Sequence, residues 1–236
     1  MTSPLQRTRL EKAASDCGFE RSPDWVGDVL TMRSALFPES VQVELLPNDR
    51  FLVTPSLAAL LPPERPLVTE GWGELYNLLS TASSRAKSLP NRIAQKFHIE
   101  TAKLPKTTEA ERLVVQRVGQ NLFRQALLDY WQGKCCVTGL AVPSLLRASH
   151  IKPWAKCEND DQRLDVFNGL LLAPHLDALF DDGWVSFSDE GMLLTSQQLE
   201  PSAQAILGVS AKQKVTGLSP EHLPYLAFHR NNEFRG

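Results

Sequence analysis

The chain has 236 residues, an apolar share of 42%, a charged share of 22% and a formal net charge of −2. These values are typical of a globular protein with one large domain or two modest ones. They exclude a globally basic nucleic-acid-binding protein, and the longest apolar runs are too short to cross a bilayer. Because the N-terminal stretch lacks the apolar core of a secretion signal, we expect a cytoplasmic protein.

The four cysteines give no sign of a cross-linked or metal-bound scaffold. Two of them are adjacent, at Cys135 and Cys136, and the set contains neither a C-x-x-C pair nor a convincing disulfide framework. We therefore expect reduced, mostly buried thiols and no structural zinc.

The first hundred residues predict a small α+β domain. The segments SVQVELL (40–46) and RFLVTP (50–55) flank the turn sequence PND and predict a β-hairpin. The segment at 69–88 predicts a helix with Leu75, Leu78 and Leu79 on its apolar face. We place this domain at 1–100 and expect it to recognise DNA or to target the protein.

A polar stretch at 101–111 predicts a linker, and a long helix follows from Arg112 to Trp131. The sequence TTEAE supplies capping residues for the start of that helix. Apolar residues recur at helical spacing, at Leu113, Val114, Val118, Leu122, Ala126 and Tyr130. Basic residues outnumber acidic ones between Arg85 and Arg124, which is compatible with contact to phosphates or with a solvated helix face.

The segment between residues 147 and 183 predicts a strand, a long loop, a second strand and a helix. RASHIKPW (147–154) reads as a short strand ended by Pro153, which cannot donate to a ladder. Asn168-Gly169 turns the chain into the apolar strand LLLA, and Pro174 begins a helix that Gly183 ends. This order places His150 at the end of the first strand and His175 in the first turn of the helix.

This arrangement suits phosphodiester hydrolysis. A histidine with a pKa of about 6.5 can activate a water molecule, and one divalent cation can stabilise the phosphate and the leaving oxygen. A helix N-terminus is positively polarised, so a cation at His175 would need oxygen ligands and substrate phosphate as well. Mg²⁺ and Mn²⁺ commonly bind in this way, with few protein ligands and several waters.

The run CCVTGLAVPSLLRASHIKPWAKCENDDQRLDVFNGLLLAPHLDALFDDGWVSF closely resembles the HNH endonuclease family. The motifs that carry the resemblance are C-x-x-T-G, H-I-x-P-W, N-G-L-L-L and H-x-x-x-F-D-x-G, and it extends over roughly residues 112–236. The combination is specific, although each motif alone is weak. The resemblance implies a ββα-metal fold in a nuclease domain at 112–236, with flanking helices, that cuts DNA by hydrolysis around one divalent cation, Mg²⁺ or Mn²⁺.

Three residues take roles from the resemblance. His150 matches the general base, Asn168 matches the asparagine that bridges the loop and orients that base, and His175 matches the metal-binding histidine of the helix. Asn168 and Asp177 are further candidate metal ligands. Three basic side chains near the site, Arg147, Lys152 and Lys156, are candidate nucleic-acid contacts.

The sequence departs from the family pattern at two places. Ser149 stands where many members have Asp or His as a metal ligand, and the spacing from Asn168 to His175 is short. Sliding the alignment by two positions would make Asp177 the metal ligand, and a carboxylate suits Mg²⁺. We expect His175 to be the ligand, and we give Asp181 a structural role at the helix end.

The sequence therefore predicts a metal-dependent endonuclease that acts on double-stranded DNA, with the build of a restriction or defence nuclease and without membrane contact. One such site cuts one strand, so a double-strand break would suggest a homodimer or two sequential nicks. Two alternatives stay open: a nucleic-acid-binding protein with weak or no catalysis on the same scaffold, and a nuclease that acts on RNA.

Overall fold

The computed structural model describes residues 3–63, 67–105 and 107–236. The chain divides into two compact units, Met1–Lys87 and Ser88–Gly236. Each unit contains both helices and strands, which confirms the α+β class.

Unit 1 is an antiparallel sheet with two helices. Its elements are α1 (Pro4–Asp16), β1 (Asp24–Val26), β2 (Val29–Arg33), β3 (Ser40–Leu46), β4 (Arg50–Pro55), β5 (Val68–Glu70) and α2 (Gly71–Ser88). The five strands lie in sequence order across the sheet. The predicted hairpin is confirmed, since β3 and β4 pair antiparallel with Val43 opposite Val53.

The core of unit 1 follows from alternation on the strands and periodicity on the helices. Val41, Val43, Phe51 and Val53 are fully buried, because every second side chain of a strand points to the same face. Helix α2 buries Leu75, Leu78 and Leu79, as its spacing predicts. Each such residue contributes roughly 1.5–3 kcal/mol when it is removed from water, so this small unit has a core of its own.

Unit 2 contains the remaining elements. They are α3 (Pro90–Thr101), α4 (Glu109–Tyr130), β6 (Arg147–His150), α5 (Asp160–Leu164), β7 (Gly169–Leu172), α6 (Pro174–Asp181), β8 (Val185–Phe187), β9 (Leu193–Thr195), α7 (Pro201–Leu207) and α8 (Leu223–Asn232). This division differs from the predicted boundaries of 1–100, 101–111 and 112–236. Helix α3 packs against α4 and α5, so it belongs to unit 2. The predicted linker includes Lys106, which lies outside the described residues.

Helix α4 is the long helix that the sequence predicts. It begins with a capping box in which the Thr108 hydroxyl accepts from the Glu111 amide and the Glu111 carboxylate accepts from the Thr108 amide. Only its second half is a core element, because that half packs on β6 and β7. Leu113 and Val114, which the periodicity assigned to the apolar face, are 53% and 51% exposed.

The centre of unit 2 is a hairpin with a helix on it. Strands β6 and β7 pair antiparallel, with Arg147 opposite Leu172 and His150 opposite Gly169. Helix α6 follows β7 and packs against β6. The ββα order predicted for residues 147–183 is therefore present in the structure.

The four cysteines are free and buried, as expected. The Cys135 sulfur accepts hydrogen bonds from the backbone amides of Thr138 and Ala173, at 3.4 and 3.3 Å. This thiol therefore ties the turn before β6 to the end of β7.

Candidate functional site

His150 is the last residue of β6. Its Nε2 lies 2.9 Å from the carbonyl oxygen of Arg163. A carbonyl oxygen can only accept a hydrogen bond, so in the neutral imidazole the proton is on Nε2. The lone pair is then on Nδ1, which is the nitrogen free to take a proton.

The ring of His150 is enclosed by aromatic side chains. Phe123 of α4 stacks on it with the centroids 3.8 Å apart and the planes 15° from parallel. Trp154 meets it edge-on at 5.5 Å and 88°. Burial lowers the pKa of His150 to about 4, although the hydrogen bond to the Arg163 carbonyl acts in the opposite direction. The imidazole is therefore neutral at pH 7.

Asn168 holds the loop between the two strands. Its Oδ1 accepts from the Lys152 amide at 2.7 Å, and its Nδ2 donates to the carbonyls of Lys152 and Gln162 at 3.2 and 3.1 Å. The side chain is 0% exposed. Because both polar atoms are engaged with the loop, the geometry does not support Asn168 as a metal ligand. It supports the bridging role, since Gln162 directly precedes the residue whose carbonyl holds His150.

Ser149 lies beside two carboxylates of α6. Its hydroxyl is 3.1 Å from Oδ1 of Asp181, and Asp177 is also within its hydrogen-bonding reach. Burial raises the pKa of Asp177, against the Ser149 hydrogen bond and the charge of Arg147. Burial and then the negative charge of Asp177 raise the pKa of Asp181, against the same hydrogen bond. The position where the family pattern has a ligand is thus occupied by a hydroxyl that donates to Asp181 and lies near Asp177.

His175 does not belong to this cluster. Residues of an α-helix are rotated by about 100° per position, so Asp177 and Asp181 share one face while His175 is about 200° away from Asp177. The face with the two acids is the one beside Ser149. The expectation that Asp181 has only a structural role at the helix end is also not supported, because its carboxylate lies in this cluster.

The two carboxylates and the hydroxyl form an oxygen-rich group that suits a hard cation. Among residues 3–63, 67–105 and 107–236, no group of three or more His, Cys, Asp or Glu side chains is arranged to hold a metal ion. Mg²⁺ nevertheless binds through one or two carboxylates and completes its shell with waters and substrate phosphate. Two acids whose pKa values are raised by burial gain from a bound cation, because it removes the cost of their charge. These residues fit a divalent metal.

The three candidate phosphate contacts have different surroundings. The Lys152 side chain is only 12% exposed, lies 3.2 Å from Oε1 of Gln162 and is 5.1 Å from the Phe228 ring centroid. Lys156 pairs with Glu233 at 2.6 Å and stays half exposed. Arg147 is exposed, and its charge acts on Asp177. Lys152 is therefore part of the packed loop, while Lys156 and Arg147 remain accessible.

A cavity of about 350 Å³ brings the two halves of the site together. Ser149, His150, Trp154 and Asp181 line it from the ββα core. The remaining wall includes His229 of α8 and Glu233, which follows that helix. His150 and the carboxylate of Asp181 therefore border one cleft.

Sequence reasoning missed three contributors to the site, namely Phe123, which stacks on His150, and His229 and Glu233, which line the cleft. Phe123 is one of many apolar residues of a core helix, and nothing in its spacing marks it as a neighbour of His150. His229 is almost fully buried, with Nδ1 3.0 Å from the Ser186 hydroxyl and Nε2 3.1 Å from the Phe180 carbonyl. These hydrogen bonds attach α8 to the end of α6, one residue before Asp181. Glu233 had no signal in the sequence either.

Residues 135–188 match the family model described as HNH endonuclease. The chain has no significant match among curated proteins. None of the helices in the described part of the chain has both the length and the apolarity that a bilayer span requires. The matched segment contains His150, Asn168, the two acids of α6 and both strands of the hairpin. Residues 135–188 of this chain are an HNH endonuclease domain, which implies nuclease activity on a nucleic acid and general use of a divalent metal.

Proposed function

We propose that the protein is a metal-dependent DNA endonuclease in which Nδ1 of His150 is the general base. The observation that carries this proposal is the neutral imidazole, held through Nε2 by the Arg163 carbonyl, in the same cleft as Ser149 and Asp181. A general base must be unprotonated and oriented, and both conditions hold for this ring.

The proton transfer follows from this geometry. Nδ1 of His150 takes a proton from the water that attacks phosphorus, and the bond from phosphorus to the leaving oxygen then breaks. The resulting imidazolium keeps its hydrogen bond from Nε2 to the Arg163 carbonyl. A pKa of about 4 makes a weak base in the free protein. An anionic phosphate bound beside the ring raises that pKa, because opposite charge favours the protonated form.

We propose that Asp177 and Asp181 hold the divalent cation, Mg²⁺ or Mn²⁺, in place of His175 and Asn168. A cation bound there supplies charge neutralisation at the phosphate and at the leaving oxygen. The role of Ser149 is to orient Asp181 through the hydrogen bond that its hydroxyl donates, beside Asp177. The i, i+4 spacing of the acids and their contact with Ser149 support this assignment.

The test is cleavage of supercoiled plasmid DNA by the full chain with Mg²⁺, with Mn²⁺ or with EDTA. We expect nicking with a metal, and a loss of roughly 10²–10⁴-fold in rate for His150→Ala. The matched control is His98→Ala, which removes an exposed histidine of α3 and should leave the rate unchanged.

If the wild-type protein cuts no better than His150→Ala with any metal, the endonuclease proposal is wrong and a binding role on this scaffold replaces it. The same assay with RNA and with single-stranded DNA identifies which nucleic acid the protein cleaves. Linear product formed at first order in plasmid, together with a dimer by sedimentation, would support paired sites on the two strands.

We further propose that unit 1 selects the DNA, as in a restriction or defence nuclease of an intracellular compartment. A separate cavity of about 190 Å³ in this unit is lined in part by Phe19, Arg21 and Met32, and also by Glu11 and Glu20, so it offers apolar groups and charges of both signs to a ligand. Mapping the cut sites on modified and unmodified genomic DNA tests this role. Identical, random cut sites on both would contradict it.

A further inference from the structure

Helix α4 lies outside the segment that matches the family, yet it supplies one wall of the His150 pocket. Phe123 stacks on the imidazole at 3.8 Å, and this approach depends on Gly169. A Cβ at position 169 would lie 2.6 Å from Cζ of Phe123 and 2.7 Å from Cδ2 of Leu127, distances that real Cβ atoms do not show. The glycine that pairs with His150 in the hairpin therefore makes room for the ring that covers His150.

Trp154 forms the second wall of the His150 pocket, and it also packs against a glycine. Trp154 meets the imidazole in a T-shaped contact, and Gly119 of α4 lies beside the Trp154 indole ring. A Cβ at position 119 would lie 2.9 Å from Cη2 of Trp154 and 3.3 Å from the Phe97 ring. A glycine inside a helix costs stability relative to alanine, so its presence here needs a local reason. The close approach of Trp154 is such a reason.

Together these contacts leave the imidazole one orientation. The Phe123 face fixes the plane of the ring, the Trp154 edge limits its tilt, and the Arg163 carbonyl selects the nitrogen that bears the proton. A ring flip about χ2 would turn Nδ1 away from its place and break the hydrogen bond to the carbonyl. Productive geometry for a base requires this kind of restriction, since a misplacement of about 1 Å can cost about 10²-fold in rate.

We propose that Phe123 and Trp154 are positioning residues for the base. Positions 119 and 169 are glycines because larger side chains there would displace the rings of Trp154 and Phe123. This inference rests on the proposed function of His150. It adds α4 to the functional apparatus of the domain, beyond residues 135–188. It also gives a role to Gly119 and Gly169. Neither glycine has a left-handed backbone with positive φ, so backbone conformation does not explain them.

The most informative variant is Gly119→Ala, because it can lower activity without lowering stability. Alanine favours the helix, whereas its Cβ must push Trp154 off its present position. We expect kcat to fall roughly 10-fold or more with KM unchanged, while the protein remains folded. The matched control is Gly73→Ala in α2, where an added Cβ meets no atom within 4 Å and kcat should not change.

Phe123→Leu provides a second test with a readout that is independent of cleavage. In protein labelled with ¹⁵N in the histidine rings, a single tautomer gives well-separated Nδ1 and Nε2 resonances, and exchange between tautomers brings them together. We expect separated His150 resonances in the wild type and converging ones in Phe123→Leu. Tyr130→Leu changes another buried aromatic residue of α4 and should lower stability and leave the His150 resonances unchanged, because its ring packs on Trp131, Phe167 and His222.

The outcomes separate this inference from the proposed function. Wild-type cleavage together with converged resonances and reduced kcat in Phe123→Leu supports both. Separated resonances and unchanged kcat in both Gly119→Ala and Phe123→Leu would overturn the positioning role and leave the nuclease proposal intact. Absence of cleavage in the wild type, with converged resonances in Phe123→Leu, would leave the orientation of the ring explained and overturn only the function.

Discussion

The two sides of strand β6 differ in the environment that they offer. His150 projects among aromatic rings, where burial lowers its pKa to about 4 and keeps it neutral. Its neighbour Ser149 projects towards two carboxylates, where burial raises the pKa of both acids. Adjacent residues of a strand point to opposite faces, so one short strand places His150 among the aromatic rings and Ser149 beside the carboxylates. Both side chains still border the same cleft, because the strand ends at His150.

The difference shows how one hairpin separates two chemical tasks. An apolar enclosure disfavours the charged form of histidine, which preserves a lone pair for proton transfer. The same physical effect makes the uncompensated carboxylates costly, which favours a cation beside them. The aromatic side therefore depends on packing from α4, and the acidic side depends on helix α6.

The largest effect should follow from neutralising the acidic side. Asp177→Asn with Asp181→Asn removes the charge that attracts the cation, and we expect cleavage to fall on the order of 10³-fold, since metal stabilisation is worth several kcal/mol. Binding of Mn²⁺, measured by calorimetry or by electron paramagnetic resonance, should weaken in parallel. His175→Ala is the matched control. Strong loss of Mn²⁺ binding in that variant would show that His175 is a metal ligand and contradict the assignment.

Loss of the loop clamp should be next in size. Asn168→Ala leaves the amide and the carbonyl of Lys152 without their side-chain partners inside a buried loop. We expect the free energy of unfolding to fall by roughly 2–4 kcal/mol, because each unmet buried group costs about 1–3 kcal/mol. Urea denaturation measures this change, and Asn121→Ala on the exposed face of α4 is the control. A variant as stable as the control would show that the loop does not need the clamp.

The aromatic side can be tested by pH. His150 has a pKa of about 4 in the folded chain and near 6.5 when exposed, so between these values only the unfolded chain takes up the proton. The free energy of unfolding therefore falls as the pH drops from 6.5 towards 4, by roughly 2–3 kcal/mol from this residue. His150→Gln removes this contribution. Equal pH slopes for the variant and the wild type in urea denaturation would contradict the enclosed, neutral imidazole.

The smallest effect should come from the accessible cations at the rim. Arg147→Ala should weaken DNA binding only a few-fold and reduce the slope of log affinity against log salt by about 1, as expected for one phosphate contact. Lys152→Ala should instead lower stability, because that side chain is packed into the loop. Fluorescence anisotropy of labelled DNA at several salt concentrations distinguishes the two variants. A salt slope changed by Lys152→Ala and not by Arg147→Ala would reverse the assignment.

Much of the local structure was predictable from the sequence, because it depends on neighbouring residues. The hairpin at 40–55 follows from alternation around a turn, and α4 follows from the capping box at Thr108 and from apolar spacing. The order of strand, loop, strand and helix around His150 and Asn168 follows from Pro153, from the apolar run at 170–172 and from Pro174. The motifs in this stretch also identified the family that residues 135–188 match.

What only the tertiary structure decided is which side chains meet around those motifs. Helical rotation brings Asp177 and Asp181 to Ser149 and takes His175 away, although the sequence motif favoured His175 as the metal ligand. Phe123 stacks on His150 where Gly169, far along the chain, leaves space for it and for Leu127. Local patterns determine secondary structure through short-range sterics and hydrogen bonds, whereas burial, pKa and ligand geometry depend on residues that are distant in sequence and adjacent in space.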